Sequence, residues 1–209
     1  MQTNVVKNIP NQNLANDELI LVVKRNDLLE KDAFQGMVEV DFDHYLKVIQ
    51  SKKEFLPRSI MEYDLAYKQI IPYLIFTFNN KFFLMQRRVE ATETRLKNKF
   101  SLGIGGHIRQ EDMTTDSIID WATREFHEEV EFNGKLDIKP LGILNDDSNE
   151  VGKVHIGFVY LLQGDSDQIK VKSELKNGNL LTIQECQQYY ENMESWSQLV
   201  FNFLKNKTN

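Results

Sequence analysis

Residues 105–132 read GGHIRQEDMTTDSIIDWATREFHEEVEF, and this stretch decides how the rest of the chain is read. From Thr115 to Phe132 the apolar residues Ile119, Trp121, Ala122, Phe126 and Val130 recur at helical spacing. Thr114, Thr115 and Asp116 offer N-cap oxygens, and Asn133-Gly134 offers a stop. On that helix Glu125 lies three residues before Glu128 and four before Glu129, so the three carboxylates share one side. Arg124 lies four before Glu128 and is placed to pair with it. Carboxylates so close repel one another unless a cation neutralises them, and oxygen-only ligation suits Mg²⁺ or Mn²⁺. A solvated acidic helix face has the same composition. The adjoining Gly105-Gly106 favours the first alternative, because glycine lets backbone approach a phosphate closely.

Upstream, Gln69–Phe78 and Lys81–Arg87 are strand candidates joined by the turn pair Asn79-Asn80. Phe100–Ile104 is a short strand ahead of the glycines. Downstream, strands are predicted at Leu136–Leu144, Gly152–Leu162 and Ile169–Val171, and helices at Leu181–Asn192 and Ser195–Lys205. Before the hairpin, Glu18–Arg25 reads as a strand, Asp41–Ser51 as a helix and Pro57–Asp64 as a loop. Residues 1–17 are Asn/Gln-rich and without period, and are expected to fray. The pattern is mixed α/β.

Composition excludes several classes. Hydrophobic residues are 41% of the 209, which rules out disorder. The net charge of −6 argues against a nucleic-acid polymer as partner, since phosphate contacts need clustered cations. One cysteine, Cys186, excludes a disulfide framework and reads as an inert packing residue. No basic start precedes an apolar run, and the longest apolar stretch, Ile70–Phe78, is far short of the ~20 residues of a membrane helix. A cytoplasmic location, with no membrane partner, is expected. His127 is expected at the surface, and His44 and His155 in structural roles. No zinc-type spacing such as H-x3-H links the histidines.

The stretch resembles the Nudix (MutT-type) box, G-x5-E-x7-R-E-U-x-E-E-x-G-U, where U is bulky and apolar. Arg124-Glu125-Phe126-His127-Glu128-Glu129 matches R-E-U-x-E-E throughout, and Gly106 matches the box glycine. The strand Phe83 to Arg88 is similar to the family's apolar strand ending in arginine. The box spans 106–132, and the domain pattern fits residues 66–209. The chain departs from the pattern in three ways. The box is four residues longer than the standard motif, about one helical turn, so its first acid falls on Asp112 counting forward, on Asp116 counting back, or on Glu111. Glu131 replaces the glycine after the E-E pair, which leaves Gly134 to end the helix. Ile104 stands where many members have proline. The Gly-Gly-His form with a lengthened box also resembles a bacterial subgroup of MutT-type phosphoesterases, as do Phe34-Gln35-Gly36 and Tyr67–Pro72.

The resemblance implies an α/β/α sandwich with a mixed central sheet, to which residues 1–65 add a small α/β extension. It implies a Mg²⁺-dependent (or Mn²⁺-dependent) hydrolase cleaving a pyrophosphate bond in a nucleoside diphosphate derivative or similar small molecule. Glu125, Glu128 and Glu129 would hold metal, with Glu128 or Glu129 as catalytic base and Arg124 orienting a ligating carboxylate. Gly105, Gly106, Arg87, Arg88 and His107 would meet substrate. A homodimer is expected by analogy. The alternative is a Nudix-fold sensor that binds such a ligand without cleaving it. An isopentenyl-diphosphate isomerase shares the fold but needs a cysteine near the box, and Cys186 lies far downstream.

Overall fold

The computed structural model describes residues 17–29, 34–87, 98–113, 117–172 and 175–208. In chain order, β1 (Leu19–Lys24) leads through a helical turn, α1 (Arg25–Leu28), and β2 (Gly36–Val38) to helix α2 (Phe42–Lys52). Then come β3 (Glu54–Pro57), the turn α3 (Arg58–Met61), and a hairpin of β4 (Tyr67–Phe78) and β5 (Lys81–Arg87). Asn79 and Asn80 both take positive φ, as a tight two-residue hairpin requires. The short β6 (Phe100–Ser101) and β7 (Ile104–Gly105) precede a 3-10 turn, Gln110–Asp112, and helix α4 (Ile118–Glu129). The chain continues through β8 (Val130–Glu131), β9 (Leu136–Asn145), α5 (Glu150–Val154), β10 (His155–Gly164), β11 (Lys170–Val171) and β12 (Leu175–Thr182). It ends with α6 (Ile183–Cys186), a 3-10 segment Gln187–Asn192, and α7 (Ser195–Thr208).

The main sheet runs β12-β5-β4-β10-β9-β2, with β1 and β7 also on β4, β3 on β1 and β6 on β5. Its central pair, β4 and β10, is parallel, and the other pairings are antiparallel. Alternation along β4 builds two cores. Ile70, Leu74 and Phe76 face α2 and α4, where Phe76 stacks on Phe126 at 6.1 Å. Tyr73 and Ile75 face α6 and α7, where Cys186, Val200 and Phe201 are buried. The result is an α/β/α sandwich around a mixed sheet. Burial pushes the Cys186 thiol up to about 12, in keeping with a packing role. No helix among the described residues is long and apolar enough to cross a membrane.

Several sequence expectations are corrected. Helix α4 starts at Ile118, capped by Ser117, whose side chain accepts from Asp120 N. Thr114, Thr115 and Asp116 lie outside the described residues, as do 1–16. The helix ends at Glu129 rather than at Gly134, because Val130 turns extended and pairs with β11. Lys172 supplies the cap: its backbone N–H donates to Glu129 O at 2.8 Å and its Nζ to His127 O at 2.6 Å. A left-handed glycine is therefore not needed where Glu131 stands. The predicted helix Leu181–Asn192 begins as β12, whose polar Lys-Asn-Gly-Asn run hides a strand pairing with β5. Arg58–Met61 is a helical turn within the predicted loop, α5 replaces the start of the predicted strand at Gly152, and Phe100–Ile104 breaks into β6 and β7.

The N-terminal residues enter the same sheet. β1 pairs with both β3 and β4, and Leu21 N donates to Ile108 O at 2.6 Å, which docks the segment after the glycines on β1. A polar network lies behind it. Lys68, fully buried, donates to Asp147 Oδ1 (3.0 Å), Gly152 O (2.8 Å) and His155 O (3.0 Å). Arg25 also pairs with Asp147, and Gln35 holds Asp146 Oδ1 at 2.8 Å. Burial lowers Lys68 to about 8 despite these acceptors. Burial alone would raise Asp147, but hydrogen bonds from Arg25, Lys68 and Asn145 outweigh it and hold the carboxyl well below its ordinary value.

A folded-state pKa below the unfolded one stabilises the fold above the unfolded value, near pH 4, and that contribution is lost as pH falls. Asp147→Asn is expected to cost about 3 kcal/mol at pH 7, since it leaves Lys68 to carry a buried charge or release its proton. It is also expected to flatten the loss of stability on acidification. Denaturant unfolding at pH 7 and pH 3 checks both outcomes.

Candidate active site

Helix α4 presents its carboxylates at the edge of its buried face. Trp121, Ala122 and Phe126 fix the rotation by packing inward. Glu125, on the turn between Ala122 and Glu129, is consequently half-buried, while Glu128 is exposed. Arg124 reaches over both: Nη2 donates to Glu125 Oε1 at 3.0 Å, and Nη1 pairs with Glu128 Oε1. Desolvation raises the pKa of Glu125, and Glu128 adds to the rise, while Arg124 opposes it.

The Gly-Gly bend sets the depth of this carboxylate. A Cβ on Gly106 would lie 2.5 Å from Glu125 Cδ, so the glycine and the carboxylate occupy adjoining space that no larger residue shares. Gly105 is held in β7 against Tyr73, with Ile71 and Tyr73 side chains at 3.2 Å from the place of a Cβ. Beside the bend opens a cavity of about 730 Å³, whose wall includes Gly105, Gly106, His107, Glu129, Arg87 and Arg58. Trp196 at the start of α7 and Glu150 of α5 lie on the same cavity.

Arg87 reaches this cavity but is bound to Glu194 at 2.7 Å, and that pairing keeps it protonated against its burial. Arg88 and Asp116 lie outside the described residues. Glu111 is exposed, 3.7 Å from Arg109, and Asp112 closes the 3-10 turn.

His107 belongs to a chain of fixed hydrogen bonds. Gln69 Nε2 donates to Met61 O at 3.0 Å, which turns Gln69 Oε1 to accept from His107 Nε2 at 2.7 Å. His107 Nε2 also lies 3.1 Å from His155 Nε2, and His155 Nδ1 donates to Val151 O at 2.7 Å. The carbonyls of Met61 and Val151 can only accept, and this fixes both partners. Burial, then Arg58 and His155, push His107 down to about 2, so it stays neutral. The structural role expected of His155 is thus a direct pairing with His107. Sequence reasoning did not find Arg58, Glu62 or Glu194, which come from segments remote from the box. The only sequence signal was the Tyr67–Pro72 segment, which contains Gln69.

No protein-family model matches the chain. Protein YmaB of Bacillus subtilis (strain 168) is 35% identical over 203 residues, covering 90% of this chain and 98% of that protein. The crystal structure of Tm1382, assigned as a Nudix hydrolase, is 31% identical, covers 90% of this chain and 99% of its own, and superposes with a TM-score of 0.77. The Nudix domain of Shewanella oneidensis NrtR, crystallised with ADP ribose, shares the fold at a TM-score of 0.54 and 10% identity, over 68% of this chain and 89% of its own. The chain belongs to the Nudix hydrolase family, whose members act on pyrophosphate bonds.

Gly106→Ala separates the fold from the site. The atom it would meet is the tip of a flexible side chain, so stability is expected to change by under about 1 kcal/mol. Turnover is expected to fall about a hundredfold, as displacement of a positioning group by about 1 Å can cost that much. Thermal unfolding measured beside a hydrolysis assay checks the split.

Proposed function

We propose that the chain cleaves the pyrophosphate bond of a nucleoside diphosphate derivative, with Glu125, Glu128 and Glu129 holding Mg²⁺ or Mn²⁺. The observation that carries this reading is the seating of Glu125 in the space left by Gly106, under a shared arginine. An acidic side chain raised by burial and by a neighbouring carboxylate is relieved by a divalent cation. Bound there, the cation supplies charge against the phosphate oxygens and activates water.

The chain's own residues account for the rest. Arg124 holds Glu125 and Glu128 in one arrangement and limits their mutual repulsion. Gly105 and Gly106 let a diphosphate come against backbone. Glu129, on the cavity wall, is the carboxylate best placed to take a proton from the attacking water. Neutral His107 offers the substrate a polar contact without adding charge. Arg58 and Arg87 also line the cavity, each held by acids, Glu18 and Glu62 for the first and Glu194 for the second. Against the sensor alternative stands the retention of all three carboxylates and of Arg124, which pairs with Glu125 and Glu128.

A hydrolysis screen with Mg²⁺, its phosphomonoester, phosphate and pyrophosphate products resolved by chromatography, run over nucleoside triphosphates, nucleotide sugars, dinucleoside polyphosphates, ADP-ribose, coenzyme A and NADH, tests the proposal. At least one compound is expected to turn over, and Glu128→Gln is expected to reduce that rate about a hundredfold or more. No turnover across the panel, with ligand-dependent thermal stabilisation retained, would instead favour the sensor.

A further inference from the structure

Away from the acidic face of α4, three ligand-type atoms converge from separate parts of the chain. A ring nitrogen of His107, a ring nitrogen of His155 and a carboxylate oxygen of Glu62 all lie within 4.8 Å of one another, and the two Nε2 atoms are 3.1 Å apart. Glu62 follows α3, His107 follows the Gly-Gly bend, and His155 opens β10. Two imidazole nitrogens 3.1 Å apart share either a proton or a cation. A tetrahedral ion with metal–nitrogen bonds of about 2.0–2.1 Å needs an edge of about 3.3 Å, close to the spacing present.

The surroundings fit a cation. His155 is oriented through Nδ1 by the Val151 carbonyl, the arrangement by which a backbone acceptor fixes a ligating imidazole and leaves Nε2 as a lone pair. His107 carries its proton on Nε2, where it is donated to Gln69 Oε1 at 2.7 Å. Binding requires its Nε2 proton to move to Nδ1, a change of tautomer with no net proton released. Glu62 contributes the negative charge. Arg58, which it contacts at 3.3 Å, keeps Glu18 at 2.9 Å as a second partner. Both histidines line the cavity, which leaves a fourth position to an oxygen from solvent or substrate.

We propose that Glu62, His107 and His155 form a second cation site, selective for Zn²⁺ or a similar transition ion. Its donors are chemically unlike the box carboxylates: two nitrogens and one oxygen select borderline ions, whereas an all-oxygen set selects Mg²⁺ and Mn²⁺. Occupied, it ties the α3 segment to the start of β10 and to the Gly-Gly bend. It does not depend on the substrate proposed above.

Co²⁺ titration of the chelator-stripped full chain, in excess Mg²⁺, tests the assignment. One equivalent is expected to give the visible absorption of four- or five-coordinate Co²⁺, and Zn²⁺ is expected to abolish it. His107→Gln and His155→Gln are expected to lose the band with circular dichroism unchanged, while Glu128→Gln keeps it. Zinc-edge X-ray absorption of the unmutated protein covers the case in which a histidine variant does not fold, and is expected to show imidazole scattering. No band in the unmutated chain, a band lost in Glu128→Gln but kept in the histidine variants, or an all-oxygen zinc shell would overturn the proposal.

Discussion

The carboxylate of Glu125 sits in the space that a side chain on Gly106 would fill, and the rest of the site is arranged around that contact. It needs a residue without Cβ at the bend, a helix rotated so that position 125 falls at its buried edge, and a cation-bearing partner to make a half-buried acid tolerable. β7 meets the first need by holding the bend against β4, and Trp121, Ala122 and Phe126 meet the second. Arg124 meets the third in part. Its guanidinium is shared between two carboxylates, so it cannot fully offset either, and Glu125 remains raised. That residual imbalance is what a divalent ion would relieve.

The N-terminal residues support the site rather than sit apart from it. β1 lies between β3 and β4 and receives the segment that follows the glycines. Lys68 joins Asp147 to the carbonyls of Gly152 and His155, so the turn carrying Asn149 and Glu150 on the cavity wall is held from beneath by a buried charge. Gln69, one residue on, links Met61 to His107. A single stretch of β4 thus fixes two walls of the cavity, one by an ion pair and one by an amide.

Much of this was legible in the sequence because it is local. The spacing of Glu125, Glu128 and Glu129 and the i,i+4 arginine follow from helical period alone, and the Asn79-Asn80 hairpin follows from turn chemistry. The end of α4 was not legible. The stop signal at Gly134 is a local one, whereas the cap comes from Lys172, more than forty positions away. The strand β12 escaped for a related reason. Its residues are polar at the positions that face outward, and its pairing with β5 is set by the sheet edge rather than by its own pattern. The His107–His155 pair joins positions 48 residues apart, with no spacing rule to connect them.

Anomalous diffraction from crystals soaked in Mn²⁺ tests the central claim most directly. The account requires a manganese peak within ligand distance of Glu125, Glu128 or Glu129, beside Gly106, and its loss in Glu125→Gln. A peak elsewhere with none at these carboxylates, or an undiminished peak in the variant, would contradict it.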